Sequence, residues 1–301
     1  MFSNKFVVEG KLAVITGGSQ GLGFALAKKL VSKGANVVII SRTESKLTKC
    51  VAELKKRVEK ENQFVDYIAA DLSKYAECEK VREYFVAKQL YPDHLICCAG
   101  DAYPEEFIKM PVAKIDQGID VNYKTAVYLV HAMLPLITEP VREQHLVFCS
   151  SVVAFYSYYG YSQYTPLKAA VKALSDSLRQ ELLPYGVKVH TVFPGNFQSE
   201  GYAEEMLTKP ALTAQIEGPS PAIPADECAS IVLKSLEKGK LYIFTDLIGW
   251  VIASFSLGFN PREWWFAQIF LSLIGALFGR LIDLYHESLV RKQFNSAKKQ
   301  K

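Results

Sequence analysis

Two side chains that could transfer a proton lie close together near the middle of the chain. Tyr164 and Lys168 are four residues apart, so a helix places both on one face. An ammonium held near a phenol stabilises the phenolate and lowers a pKa that starts at about 10, which makes proton transfer near neutral pH feasible. Ser151 adds a hydroxyl that could hold a carbonyl oxygen. The alternative is a packing surface, because residues 156–161 contain four further tyrosines.

The N-terminal region predicts a binding site for a dinucleotide. Residues 11–16 form a short apolar run, a glycine-rich turn follows, and an amphipathic segment begins directly after it. In this layout, backbone N–H groups at the helix N-terminus approach a pyrophosphate without side chains in the way. The pattern T-G-x-x-x-G-x-G provides Gly17, Gly21 and Gly23, with Ser19 between the first two.

The residues at the ends of the next two predicted strands indicate which dinucleotide binds. Strand 36–40 ends at Ser41 and Arg42, where a site selective for NAD would carry an acidic residue for the ribose 2′-hydroxyl. A neutral residue with an arginine suits a 2′-phosphate, so we predict NADPH; alternatively, Arg42 is a solvated turn residue. Strand 64–70 ends at Asp71 and Leu72, where the carboxylate could meet the adenine.

Strand and helix patterns alternate over more than 90 residues, which predicts an α/β fold with a doubly wound parallel sheet and helices on both faces. Long helices are expected at 44–61, at 111–137, which contains Asn122, and at 162–185. Ligands bind at the C-terminal edge of the strands in such sheets. The residues expected at that edge are Gly17, Gly100, Ser151, Pro194 and Gly195.

Composition excludes several functional classes. The chain has 301 residues and a formal net charge of +4, and its basic residues are spread out until the C-terminus, so nucleic-acid binding has little support. The six cysteines include no C-x-x-C pair, which favours reduced thiols in the core. The five histidines are scattered, so no metal site is predicted. The N-terminus has no apolar stretch long enough for a signal peptide, and we expect a reducing compartment.

Together these motifs resemble the short-chain dehydrogenase/reductase superfamily over about residues 8–245. The resemblance rests on the glycine-rich turn, Asp71, the Cys-Cys-Ala-Gly segment 97–100, Asn122, Ser151, the Tyr-x-x-x-Lys pair and Pro194-Gly195. It implies a Rossmann-like fold and an oxidoreductase that uses NADPH. The superfamily usually has Asn-Asn-Ala-Gly where this chain has cysteines, so side-chain bonds made there by asparagine cannot be carried over.

The resemblance also implies roles for individual residues. Tyr164 would protonate the substrate oxygen, Lys168 would lower the pKa of Tyr164 and bond the nicotinamide ribose, and Ser151 would polarise the carbonyl. Asn122 would hold a water that links Lys168 to solvent. The cofactor-binding set would comprise Gly17, Ser19, Gly21, Gly23, Ser41, Arg42, Asp71, Leu72, Gly100, Tyr164, Lys168 and Pro194.

Three segments, ITGGSQGLG at 15–23, LICCAG at 95–100 and PGNFQSEG at 194–201, carry a narrower resemblance. Within the superfamily the chain looks most like the fungal 3-ketosphinganine reductases. That likeness implies reduction of the 3-keto group of a long-chain sphingoid ketone in sphingolipid synthesis, and a homo-oligomer paired through the long helices. A membrane-bound steroid or retinoid dehydrogenase would share every catalytic residue. A third alternative is a non-catalytic dinucleotide-binding scaffold, against which the joint presence of Ser151, Tyr164 and Lys168 argues.

The region after the last predicted site strand divides into two parts. Residues 196–226 are loop-like around a short helical piece, and such a segment can close over a substrate. A catalytic domain is therefore expected at 1–245. Residues 247–259 and 264–279 are apolar but shorter than the roughly 20 residues of a spanning helix.

These two apolar runs favour an interfacial or re-entrant membrane hairpin, with a dimer arm or active-site lid as the alternative. Residues 246–301 would thus form a membrane-associating hairpin with a basic tail suited to anionic headgroups. The last four residues, KKQK, resemble the dilysine signal of endoplasmic reticulum membrane proteins. The location expected is that membrane, with the catalytic domain facing the cytosol.

Overall fold

The computed structural model describes residues 5–139 and 141–254, and five single positions beyond them (Leu273, Leu277, Leu281, Leu284 and Asn295). Its centre is one seven-stranded sheet. Short, almost entirely apolar runs form the inner strands, as expected for strands that are covered on both faces. The strands are β1 (Leu12–Thr16), β2 (Asn36–Ser41), β3 (Val65–Ala69), β4 (His94–Cys97), β5 (Gln144–Cys149), β6 (Val187–Phe193) and β7 (Tyr242–Phe244).

The strand order is β3-β2-β1-β4-β5-β6-β7, and every pairing is parallel. The chain moves outward from β1 to β3 and then returns to the other side of β1 with β4. This reversal is the position at which open α/β sheets bind ligands, at the C-terminal ends of the strands. Thr16 pairs with Cys97 at that point, so the glycine-rich turn and the 97–100 segment lie side by side.

Ten α-helices occur within the described residues, and six of them cover the two faces of the sheet. One face packs against α1, α2 and α9, and the other against α3, α5 and α6. This confirms the doubly wound parallel architecture. The helices are α1 (Gly21–Ser32), α2 (Glu44–Lys55), α3 (Tyr75–Ala87), α4 (Val112–Ile119), α5 (Thr125–Thr138), α6 (Tyr164–Glu181), α7 (Glu200–Thr208), α8 (Ala211–Glu217), α9 (Ala225–Glu237) and α10 (Leu247–Ser254).

Three helical expectations differ from the structure. The helix expected at 44–61 ends at Lys55, where i→i+3 hydrogen bonds close the last turn before a charged run. The helix expected at 111–137 is interrupted by a π-helical turn, Asp120–Lys124. The segment expected to be mostly loop at 196–226 contains two helices, α7 and α8.

Residues 247–254 form α10, which is the described part of the first apolar run. Its Leu247, Ile248 and Trp250 side chains are exposed. Within 5–139 and 141–254, no helix combines the length and apolar character needed to cross a bilayer. The second apolar run at 264–279 and the basic tail lie outside the described residues, apart from the isolated positions. The division at residue 245 stays a prediction.

Three histidines from adjacent strands are buried beneath the N-terminal segment. Phe6 stacks on His94 at 4.0 Å between ring centroids, and His145 Nδ1 lies 2.9 Å from His190 Nε2. The Lys240 carbonyl must accept a hydrogen bond from His190 Nδ1, so Nε2 of that ring accepts from His145. Burial lowers the pKa of His94 and His190 to about 4 and that of His145 to about 2.

These depressed pKa values predict a loss of stability in mild acid. An unfolded histidine titrates near 6.5, so the unfolded chain takes up protons below that pH while the folded histidines remain neutral. The free energy of unfolding should therefore be constant above about pH 7 and fall as the pH drops towards 4. Each pKa unit corresponds to about 1.4 kcal/mol, so a loss of at least about 2 kcal/mol is expected between pH 7 and pH 5 in urea unfolding.

A matched variant tests the assignment to this histidine stack. In His190→Asn an amide can still donate to the Lys240 carbonyl, but the titratable ring is gone. The variant should be less stable at pH 7 and lose less stability on acidification than the parent chain. An unchanged pH dependence in the variant would show that other groups cause the loss.

Candidate active site

The predicted catalytic and cofactor-binding residues converge at the C-terminal edge of the sheet. They surround one cavity of about 870 Å³, with Asn122 one layer behind it. Its wall is formed by the turn after β1, by the ends of β2, β4, β5 and β6, and by the start of α6. The predicted residues that line it are Gly17, Ser19, Gly21, Gly23, Ser41, Arg42, Asp71, Leu72, Gly100, Ser151, Tyr164, Lys168 and Pro194.

The turn after β1 has the close packing that a pyrophosphate cradle requires. A Cβ on Gly23 would lie 2.5 Å from the Gly17 carbonyl oxygen, and Gly17 itself has φ +64° and approaches the backbone of Ala99. The α1 helix starts at Gly21 without a side-chain cap and without an acidic residue in its first turn. Its free N–H groups and positive dipole end therefore face the cavity and suit an anion.

The end of β2 contains a buried polar atom without a hydrogen-bond partner in the described part of the chain. Ser41 Oγ has no hydrogen-bond partner among the described residues, although a buried hydroxyl normally has one. Arg42 is exposed beside it, and both line the cavity. At the next strand, burial alone would raise the pKa of Asp71, but hydrogen bonds from Ser73 and the Lys74 ammonium outweigh it and lower the pKa. These residues fit the ribose and adenine half of a dinucleotide.

Lys168 is buried at the base of the site and is held by the sheet. Its side chain is on the first turns of α6, and its Nζ donates to the Cys149 carbonyl at the end of β5, at 3.2 Å. A Cβ on Gly100 would lie 2.9 Å from the same Nζ, so glycine leaves the space that the ammonium occupies. Burial lowers the pKa of Lys168, and its Nζ lies 5.4 Å from the centre of the Tyr164 ring.

The expected lowering of the Tyr164 pKa is wrong for this structure. Burial and the nearby Glu205 carboxylate raise the pKa of Tyr164, and a hydrogen bond from Ser151 acts in the opposite direction. Loss of water around the phenol and a neighbouring negative charge both penalise the phenolate. Tyr164 is therefore protonated at neutral pH, which is the state that a proton donor requires.

Asn122 is buried inside the protein. As an isolated helical position it is typical of a surface amide, but its side chain is only 1% exposed. The π-helical turn rotates it inward, as such turns do at functional sites, and its Oδ1 accepts from the Asp101 N–H at 3.2 Å. A Cβ placed on Gly100 would lie 3.0 Å from Asn122 Oδ1, so Asn122 is next to Lys168.

The two cysteines in place of asparagines occupy different surroundings. Cys97 is buried in the core on one face of β4. Cys98 lines the cavity, and its Sγ lies 3.1 Å from Cys149 Sγ on the neighbouring strand. That contact and burial raise the pKa of Cys98, so it is a thiol. The backbone of this segment is fixed to the end of β1, because the Ala99 N–H donates to Thr16 Oγ1 at 3.1 Å.

Sequence reasoning missed a group of polar residues at the substrate side of the cavity. Glu205 and Lys209 are four residues apart at the end of α7, a spacing that indicates a helical ion pair. Their link to Glu217 and to Tyr161 depends on how α7 and α8 fold over the cavity. No pattern in the sequence shows that arrangement.

This fold and site define a dehydrogenase of the short-chain type. Residues 11–209 match the family described as short chain dehydrogenase, and the chain belongs to that family. Its relatives include the 3-ketodihydrosphingosine reductase TSC10 of Debaryomyces hansenii, 41% identical over 281 residues, with 90% of this chain and 86% of the relative covered.

Two further yeast relatives have the same name. The 3-ketodihydrosphingosine reductase TSC10 of Yarrowia lipolytica is 43% identical over 297 residues, which cover 96% of this chain and 79% of the relative. The Saccharomyces cerevisiae protein is 38% identical over 293 residues, which cover 88% of this chain and 90% of the relative.

Solved structures of short-chain dehydrogenases share the fold. The protein from Burkholderia phymatum, in complex with NAD, aligns with a TM-score of 0.71 at 20% identity and covers 86% of this chain and 98% of its own. The protein from Sphingobium yanoikuyae, in complex with NADPH, aligns with a TM-score of 0.70 at 23% identity and covers 91% and 95%. Those two proteins bind a nicotinamide dinucleotide.

Proposed function

We propose that this protein reduces the 3-keto group of 3-ketodihydrosphingosine to the alcohol, with NADPH, in sphingolipid biosynthesis. The observation that carries the proposal is the match to the three yeast reductases, which spans nearly the whole chain rather than the dinucleotide-binding half alone. The cavity supports it, because the match coincides with a site that combines a nucleotide cradle and a protonated tyrosine.

The side chains of the site can perform the proton transfer that a ketone reduction needs. When bound, NADPH supplies a hydride to the ketone carbon. Tyr164 donates its proton to the oxygen on which negative charge develops, and Ser151 helps to hold that oxygen by hydrogen bonding. The high pKa of Tyr164 keeps the phenol protonated before the reaction. Burial lowers the pKa of the Lys168 ammonium, so Lys168 gives up its proton more readily.

Lys168 is then the group that can restore the proton on Tyr164. A Cβ placed on Gly100 would lie 2.9 Å from Lys168 Nζ and 3.0 Å from Asn122 Oδ1, so these two side chains are neighbours. We assign to Asn122 the water that leads from Lys168 to solvent. Ser151, Tyr164 and Lys168 line the cavity, whereas Asn122 does not. Ser151, Tyr164 and Lys168 therefore act at the substrate and cofactor, and Asn122 acts through Lys168.

Preference for NADPH is assigned to Ser41 and Arg42. A 2′-phosphate would give the unpartnered Ser41 hydroxyl an acceptor and would pair with the Arg42 guanidinium, whose planar N–H groups suit phosphate oxygens. Neither position offers the carboxylate that favours a free 2′-hydroxyl. Lys46 also lines this end of the cavity, where it forms an ion pair with Glu200.

We further propose attachment to the cytosolic face of the endoplasmic reticulum membrane through residues 246–301. The exposed side chains of Leu247, Ile248 and Trp250, the second apolar run and the basic tail support it. A long acyl chain favours a bilayer over water by about 0.8 kcal/mol per CH₂, so an enzyme at the surface meets the substrate where it resides. A homo-oligomer paired through α5 and α6 belongs to the same proposal.

A panel of carbonyl substrates tests the proposed function. Purified in mild detergent, the protein should oxidise NADPH, followed by its absorbance, with 3-ketodihydrosphingosine as substrate. Ketosteroids and retinal should give no comparable turnover. Turnover of a steroid or of retinal without the sphingoid ketone would overturn the substrate assignment and leave the catalytic residues in place.

The cofactor assignment has its own test. Arg42→Ala should raise KM for NADPH about ten- to hundredfold, because a charge-assisted hydrogen bond contributes about 1.5–3 kcal/mol. KM for NADH should change less than about threefold, so NADH is the internal control. An equal rise for both cofactors would show that Arg42 does not recognise the 2′-phosphate.

A further inference from the structure

The substrate side of the cavity contains two carboxylates that share one lysine. Lys209 Nζ lies 3.0 Å from Glu205 and 2.8 Å from Glu217. Both glutamates line the cavity, and Asn196 Nδ2 donates to Glu217 Oε1 at 2.6 Å. Helices α7 and α8 and the end of β6 are thus tied together by one polar cluster, formed by Glu205, Lys209, Glu217 and Asn196.

This cluster has an excess of negative charge in a largely buried place. The side chain of Lys209 is 3% exposed, and those of Glu205 and Glu217 are 13% and 15% exposed. One ammonium between two carboxylates leaves one negative charge without a cationic partner among the cluster residues. Hydrogen bonds from Asn196 and Tyr161 compensate part of this charge. A ligand with a positive group at this point would compensate more of it.

The cluster lies close to the proposed proton donor. The Tyr161 hydroxyl donates to Glu205 Oε1, and the Tyr161 and Tyr164 rings are 6.0 Å apart. Glu205 is the charged group that contributes most to the raised pKa of Tyr164, ahead of Asp101. Glu205 and Tyr164 therefore line the same part of the cavity, with Tyr161 between them.

We propose that Glu205, with Glu217 beside it, binds the ammonium group of the substrate. The inference rests on the proposed function, because a sphingoid ketone has an amine on the carbon adjacent to the ketone, and this amine is cationic when protonated. With the carbonyl at Tyr164 and the acyl chain directed away, the amine turns towards Glu205. Steroids and retinal lack a cation, so this contact also selects among carbonyl compounds that the same catalytic residues could reduce.

Binding of the ammonium would also assist the reaction. Glu205 disfavours the Tyr164 phenolate while its charge is uncompensated. A substrate cation near Glu205 offsets that charge and itself stabilises a phenolate. Tyr164 would thus release its proton more readily when the correct substrate is in place than when the cavity is empty.

The test compares two substrates in one variant. Glu205→Gln keeps an oxygen that can accept from Tyr161 but removes the charge. It should lower kcat/KM for 3-ketodihydrosphingosine at least tenfold, mainly through KM. For the hydroxyketone of equal chain length that lacks the amine, kcat/KM should change less than threefold, so the preference of the parent protein for the amino ketone is lost.

Two further variants serve as controls. Glu204→Gln removes the same charge from the neighbouring position of α7, where the side chain is exposed, and should preserve the substrate preference. Glu217→Gln should reduce the preference by less than Glu205→Gln, because Glu217 is farther along the cluster from Tyr161. Cofactor binding, followed by NADPH fluorescence, and the unfolding temperature show whether each variant is folded.

The outcomes separate this inference from the proposed function. If the parent protein does not reduce the amino ketone, the proposed function itself fails. If it does and Glu205→Gln keeps the preference, or Glu204→Gln loses it equally, Glu205 does not bind the ammonium. A misfolded Glu205→Gln leaves Glu217→Gln to decide, and an unchanged preference in that folded variant contradicts the proposal.

Discussion

The buried Lys168 ammonium is the constraint on which the rest of the site depends. An ammonium with a side chain only 4% exposed must have polar partners, because an unpaired buried charge is strongly unfavourable. The chain provides the Cys149 carbonyl at the end of β5 and a glycine at the end of β4, and it places the Asn122 amide nearby through a π-helical turn. Each of these features would be unnecessary, or even harmful, to a fold that only had to pack.

The two ends of the cavity differ in charge, and the difference matches two different ligands. At the ribose and adenine end, the α1 N-terminus, Arg42 and Lys46 suit the phosphates of a dinucleotide. At the other end, Glu205 and Glu217 outnumber Lys209 and suit a cation. Tyr164 lies between the two regions, and a cation bound beside Glu205 would lower the cost of forming its phenolate.

Much of the fold and of the cofactor site follows from the sequence. The parallel sheet was predictable because its inner strands are short apolar runs, each followed by a glycine or a serine at the C-terminal edge. The pair Tyr164 and Lys168 was predictable because helical spacing fixes their relative position. The raised pKa of Tyr164 was not, because it depends on burial of the phenol and on Glu205. Glu205 is 41 positions away in the chain and approaches only when α7 folds over the cavity.

The same limit applies to the helical details. The π-helical turn that buries Asn122 changes the register by one residue, which a pattern of apolar positions does not reveal. Helix α8 is short and lies between prolines, so its composition resembles a loop, and its contact with the rest of the fold includes the hydrogen bond from Thr213 Oγ1 to the Tyr159 carbonyl. Tertiary contacts therefore decided the elements that local preference could not.

The central claim is that the Tyr164 hydroxyl supplies the proton for ketone reduction. The most direct measurement is the turnover of Tyr164→Phe with the sphingoid ketone, beside NADPH binding by the same variant and the turnover of Tyr159→Phe, an exposed tyrosine nearby. The account predicts a loss of about 10²–10⁴-fold in kcat for Tyr164→Phe, with NADPH binding retained and Tyr159→Phe active. Turnover of Tyr164→Phe within about threefold of the parent protein would contradict it.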